Sequence, residues 1–139
     1  MTRILGIDHG GKRLGVAITD PDGILATPHA VVASLGDQRD ASEIARIVAE
    51  EGVERIVLGL PLMLSGEEGE QAARVRRFGA RLSEVHGLAV EYWDERLTTV
   101  YATRMLRLSG AKRDRRKLLV DSLAAAAMLQ GYADSRRRQ

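Results

Sequence analysis

Three carboxylates stand out by the residues around them. Asp8 closes the apolar run Ile4-Leu5-Gly6-Ile7, and Glu95 follows the apolar segment Leu88–Trp93 and Asp94 in the same way. Asp121 lies in Leu118–Leu129, where it and Ser122 are the only polar residues. A carboxylate in apolar surroundings is costly unless it is paired or bound to a cation. Each acid also has a plainer reading. Asp8 can cap a turn, and Asp94 or Glu95 can sit at a helix start, where the dipole favours acids. A four-apart pair with Lys117 would give Asp121 only about 0.2–0.5 kcal/mol, little against burial. Three acids without cysteine select a hard cation. Mg²⁺ and Mn²⁺ take carboxylate, water and phosphate oxygens, whereas zinc would want His or Cys. With Asp8 bridging two ions about 3.5–4 Å apart, and Glu95 and Asp121 fixing one each, such a centre would hydrolyse a phosphodiester. That scheme asks no general base of the protein. His9, His29 and His86 have no ligand spacing between them. His29 and His86 read as surface residues; His9, beside Asp8, could touch a substrate but reads more simply as solvated.

The charge is lopsided although the net is only +2. Residues 1–95 carry 10 Lys/Arg against 16 Asp/Glu, and residues 96–139 carry 11 against 3, so the two balances are −6 and +8. A basic C-terminal third on an acidic body suits a polyanionic partner that must also meet carboxylates. Lys112, Arg113, Arg115, Arg116 and Lys117 stand at the start of the last predicted helix, the end where the dipole disfavours cations. Contact with nucleic-acid phosphates explains them better. Arg136-Arg137-Arg138 stands at a helix end or tail, where cations need no special account. Lys12 and Arg13 could reach a scissile phosphate or simply be exposed.

The elements that must position these groups follow from periodicity and turn chemistry. Arg3–Asp8 and Leu14–Thr19 read as strands joined by a short hairpin. Asp20-Pro21-Asp22-Gly23 is a turn leading to a third strand within Ile24–Ala33, which Pro28 assigns to an edge. Helical spacing covers Gln38–Glu51, with Gly52 as its stop, and Glu70–His86, closed by Gly87. Val53–Leu58 and Leu88–Trp93 are further strands. Thr98 or Thr99 can cap a helix to Leu108, and a last helix covers Arg115–Ala133. The order βββαβαβαα predicts one α/β domain over residues 1–139, a five-stranded mixed sheet with helices on both faces. The first, fourth and fifth strands are then parallel neighbours, so Asp8 and Glu95 share the carboxyl end, where ligands sit in such sheets. No window reaches the roughly 18 apolar residues of a membrane span, and no signal-peptide core opens the chain. The cytoplasm, with no membrane partner, is the expected location.

At this point the residues resemble a known family. Gly6-Ile7-Asp8-His9-Gly10-Gly11-Lys12-Arg13-Leu14-Gly15-Val16-Ala17 is similar to the opening motif of the YqgF/RuvX nucleases, which have a ribonuclease-H-like fold. Gly59-Leu60-Pro61-Leu62 with Gly66–Ala72, then Asp94-Glu95-Arg96-Leu97-Thr98-Thr99, then Val120–Ala125 with Leu129-Gln130 resemble the later motifs in order. The resemblance spans nearly the whole chain. It implies metal-dependent endonuclease activity with Asp8, Glu95 and Asp121 as the catalytic acids. The substrates it implies are the 5′ end of precursor 16S ribosomal RNA or, alternatively, Holliday junctions. Cutting a junction on two strands would favour a homodimer, whereas RNA trimming needs one site. One departure is visible. Met63-Leu64-Ser65 stands where the family often has Asn-Met-Asp, which removes a polar side chain and an acid from that loop.

Two other classes compete. An actin-like phosphotransferase shares the core but needs two such domains around its nucleotide, and neither GxxxxGK[ST] nor GxGxxG is present. A non-catalytic nucleic-acid-binding module would bind polyanions regardless of Mg²⁺, but it has no use for a buried Asp121. Phe78, Tyr92, Trp93, Tyr101 and Tyr132 do not cluster into a base-stacking platform.

Overall fold

Strand β1 (Ile4–His9) turns through Gly10–Lys12 into β2 (Arg13–Thr19), which lies antiparallel to it with Leu5 opposite Ile18 and Asp8 opposite Gly15. In this computed structural model residues 2–94 and 113–137 are described, with the backbone alone for 113–121. The next turn is closed by Asp20, whose Oδ1 accepts the amides of Ile24 at 2.7 Å and Leu25 at 3.3 Å. Strand β3 (Ala26–Ala33) then pairs with β2 alone, at the sheet edge. Its register shifts where Val16 faces Ala30 and Ala17 faces Pro28. The expected edge proline is thus accommodated by a bulge, since proline has no amide to give a ladder.

Strand β4 (Arg55–Leu60) lies parallel to β1 on its other side, and β5 (Val90–Asp94) lies parallel to β4. The sheet order is β3-β2-β1-β4-β5. It is the mixed five-stranded sheet expected from the pattern. Helix α1 (Asp37–Glu51) and helix α2 (Glu70–His86) each end at a glycine in the left-handed conformation, Gly52 and Gly87. These caps trim the strands that follow. The Val53 amide bonds back to the Val48 carbonyl and the Leu88 amide to that of Leu82, so β4 starts at Arg55 and β5 at Val90, each two residues later than predicted.

Both faces of the sheet are covered. Leu5, Ile7, Leu14, Val16 and Leu58 pack with Ile44 of α1 and with Val75, Phe78 and Leu82 of α2. On the other face Ile4, Ala17 and Val57 pack under Ala125, Met128, Leu129 and Tyr132 of helix α3 (Arg113–Arg137). Burying side chains of this size contributes about 1.5–3 kcal/mol each, so α3 is held by its own apolar stripe. It extends beyond the predicted 115–133 at both ends. The helix expected from Thr98 or Thr99 to Leu108 lies outside the described residues.

Candidate active site at the carboxyl ends of the parallel strands

Asp8 is the penultimate residue of β1 and is half-buried. Parallel pairing brings the ends of three strands level, because Ile7 pairs with Leu58 of β4, and Leu60 pairs with Asp94 of β5. Successive strand side chains alternate between faces, so Ile4, Gly6 and Asp8 share one face. That face belongs to α3. At Gly6 the helix comes so close that an added Cβ would lie 2.9 Å from the Cβ of Leu129. Asp8 therefore stands on the α3 side of the sheet, at its carboxyl rim.

The direction of α3 matters for Asp121. Tyr132, later in the helix than Leu129, reaches the amino ends of β4 and β5: its hydroxyl accepts from Arg55 Nη1 at 3.1 Å and donates to Glu91. The helix thus runs antiparallel to β1. Asp121, eight residues before Leu129, is displaced along the axis by about 12 Å towards the carboxyl rim. Arg113, Arg115, Arg116 and Lys117 belong to the same end of α3 by backbone position. Their side chains, and those of Glu95 and Lys112, lie outside the described residues. Asp94, the last described residue of β5, is exposed at that rim. Lys12 is exposed in the β1–β2 turn, and Arg13 opens β2 half-buried.

Two features of the rim were not read from the sequence. His9 is not solvated, contrary to expectation. It points to the α1–α2 face, its ring set edge-on against Phe78 at 5.2 Å and 79°. Its Nδ1 accepts the Gly11 amide at 3.2 Å, and its Nε2 is buried with no hydrogen-bond partner among the described residues. Burial pushes this imidazole below its usual range, against the opposing pull of Asp37 and Asp40. His9, Asp37 and Asp40 each bring a potential ligand atom within 4.8 Å of one another, a group compatible with a divalent ion. It lies across the sheet from the face of Asp8. Asp40 has a structural task as well: its two oxygens accept Ser34 Oγ at 2.6 Å and the Leu35 amide at 2.9 Å, fixing the approach to α1. With Nδ1 accepting a hydrogen bond, the proton of neutral His9 resides on Nε2, so metal binding there would displace it.

The second feature is Arg74. From the exposed side of α2 its guanidinium reaches over Gly11, in the turn directly after β1, so closely that a Cβ there would lie 2.7 Å from Nη1. Gly11 has φ +87°, a conformation open to glycine. Arg3, Arg46, Arg55 and Arg76 are ion-paired, whereas Arg74 has no carboxylate partner among the described residues. It extends the cationic rim of Lys12 and Arg13 onto α2.

Solved structures with this fold include Thermus thermophilus RuvC in complex with a Holliday junction substrate, with TM-score 0.64, 15% identity and coverage of 100% of this chain and 98% of that one. Fowlpox virus resolvase with its junction DNA matches with TM-score 0.58 and 14% identity over 96% and 98%. The class is therefore that of the ribonuclease-H-like folds of the resolvases. At the sequence level the chain is 46% identical over 134 residues to a Chloroflexus aggregans protein named "Putative pre-16S rRNA nuclease", covering 96% of this chain and 94% of that protein. A protein of the same name from Desulforamulus reducens is 41% identical over 133 residues, covering 96% and 97%. The sequence pattern of the RuvX family, described as Holliday junction resolvase, matches residues 2–135. The chain belongs to the RuvX family, and it is a nuclease.

Proposed function

We propose that this nuclease is a Mg²⁺- or Mn²⁺-dependent endonuclease that matures the 5′ end of precursor 16S ribosomal RNA, with Asp8, Glu95 and Asp121 as the metal-holding catalytic acids. The observation that carries the site is the placement of Asp8 at the carboxyl rim on the face covered by α3, whose amino-terminal end lies towards that rim. In sequence Asp121 stands four and seven residues before Ala125 and Met128, which with Leu129 and Tyr132 pack on the sheet. Glu91 and Trp93 alternate onto the α3 side of β5, and Glu95 follows the strand in sequence. An all-oxygen donor set fits hard cations. When bound, such ions activate water and stabilise the leaving oxygen. The residues of the chain hold and orient: the acids fix where the phosphate must sit, while Lys12, Arg13, Arg74 and the basic start of α3, with Lys112 before it, draw the backbone to the rim.

The RNA substrate is favoured by the relatives of 41–46% identity that carry its name. The second reading, cleavage of four-way DNA junctions, is favoured by the family's description and would call for a homodimer cutting two strands. The deciding experiment incubates the purified chain and its Asp8→Asn variant with a precursor-rRNA fragment and a four-way junction, with and without Mn²⁺. Mn²⁺-dependent cleavage of the RNA alone supports the first reading; cleavage of the junction alone supports the second. Full cleavage by Asp8→Asn overturns the assignment of the acids. Tight, metal-indifferent binding without cleavage would leave only a nucleic-acid-binding module.

A further inference from the structure

The segment between β4 and α2 carries a feature that the proposed acids and cations leave unexplained. Immediately after Leu60 the chain folds into a tight hairpin. Leu62 and Glu68 form an antiparallel bridge, the Met63 amide donates to the Glu67 carbonyl, and the Gly66 amide donates to the Met63 carbonyl, both at 2.8 Å. The base is fastened on two sides. Leu62 packs against the core under α1 and α2. Glu68 takes both Nε and Nη2 of Arg76, at 2.5 and 2.8 Å, and that guanidinium lies 4.8 Å from the centre of the Tyr92 ring. What this braced hairpin presents is apolar: Leu64 is 97% exposed and Met63 55%. Met63 stands where the resembling family often has Asn, and Leu64 where it often has Met.

The place and the surroundings narrow what the tip can meet. β4 lies between β1, which carries Asp8, and β5, which leads to Glu95, so the hairpin rises from the rim of the candidate site. Exposed Glu67 and Glu70 flank it without an ion pair among the described residues, which repels phosphate. Two side chains are also far short of the roughly 1,000 Å² that a specific protein interface needs. They match the apolar wedges that enter between neighbouring bases and unstack them. Resting on the nuclease reading above, we propose that Met63 and Leu64 form such a wedge, taking the place of a stacking partner for a base next to the scissile phosphate.

The test places 2-aminopurine, whose fluorescence rises on unstacking, at each nucleotide flanking the branch of a four-way junction and the single-strand–duplex boundary of an RNA. The full chain is added in EDTA, so binding is read without cleavage. The expected result is a rise of about threefold or more at one flanking position with the wild type and with Leu64→Phe, given the greater stacking area of Phe. Leu64→Ser and the double variant Met63→Ser/Leu64→Ser should lose the rise while binding fully paired duplex within about twofold of wild type, since the phosphate contacts are untouched. An undiminished rise with Leu64→Ser, or no rise at any position with the wild type, overturns the wedge. So does a loss of self-association in Leu64→Ser with no fluorescence change, which would assign the tip to a second copy of the chain. If the rise is present but neither substrate is cut with Mn²⁺, the nuclease reading falls and the wedge stands. Cleavage without the rise removes the wedge alone.

Discussion

Gly6 and Leu129 meet with no room between them: any Cβ at position 6 would lie 2.9 Å from the Leu129 Cβ. This contact sets the distance between β1, which carries Asp8, and α3, which carries Asp121. Gly6→Ala should therefore lift α3 by several tenths of an ångström, destabilising the protein by about 1–3 kcal/mol and lowering Tm by roughly 3–10 °C. Activity should fall further than stability, because two of the proposed ligands sit on the separated elements. Pairing it with Leu129→Gly, which removes the opposing Cβ, in a double-mutant cycle should recover part of the loss; strictly additive effects would show that the two positions are not coupled.

Asp8→Asn, Glu95→Gln and Asp121→Asn should each lower the Mn²⁺-dependent rate by at least about 100-fold, the scale of losing several kcal/mol of transition-state stabilisation. Without metal, Glu95→Gln and Asp121→Asn should melt no lower than the wild type, since on the proposed reading each removes one of several like charges. Single-turnover cleavage and thermal melts in EDTA measure both.

Arg74→Gln should weaken nucleic-acid binding uniformly across sequences and reduce the slope of log K against log salt by roughly one phosphate's worth. Arg74→Lys should keep most of the affinity. Arg77→Gln, an exposed change on the same helix, is the control. Equal slopes for all of these proteins would exclude a phosphate contact at Arg74.

Tyr132 gives a pH signature. It is buried and donates to Glu91, and both effects push its phenol up to about 12, burial being the larger. The folded state thus holds this proton more tightly than the unfolded chain, whose phenol titrates near 10. Its contribution is fully present below pH 10 and is lost as pH rises from 10 towards 12. Phenolate absorbance should show a late-titrating tyrosine that is missing in Tyr132→Phe. That variant should also lose about 1 kcal/mol at neutral pH, the net worth of the hydrogen bonding.

Much of this structure was legible because its signals are local. Gly52 and Gly87 stop their helices, Pro28 lies on an edge strand, and the alternation of strands with helices dictates the parallel set. Asp8 was legible for a related reason: a carboxylate in an apolar strand is conspicuous without any knowledge of its neighbours. The grouping of His9 with Asp37 and Asp40 was not, because two further strands separate them in sequence and no spacing rule links them. Nor does spacing distinguish Arg74 from Arg76, Arg77 and Arg81 on α2; only the packing shows that Arg76 is engaged by Glu68 while Arg74 reaches the turn after β1. Strand limits moved by two residues because the glycine caps draw the next amide back into the helix, a three-dimensional effect.

The face of the sheet that α3 covers also orders events during synthesis. α3 is translated after every strand, and among the described residues it is the helix that covers Ile4, Ala17 and Val57. At ~5–20 residues per second, a nascent chain spends on the order of seconds with that apolar face bare. Over that interval Asp8 on β1 and Asp121 on α3, two of the proposed ligands, are not yet held together. On the proposed assignment of the acids, the site is completed only when α3 docks, after all five strands have been made.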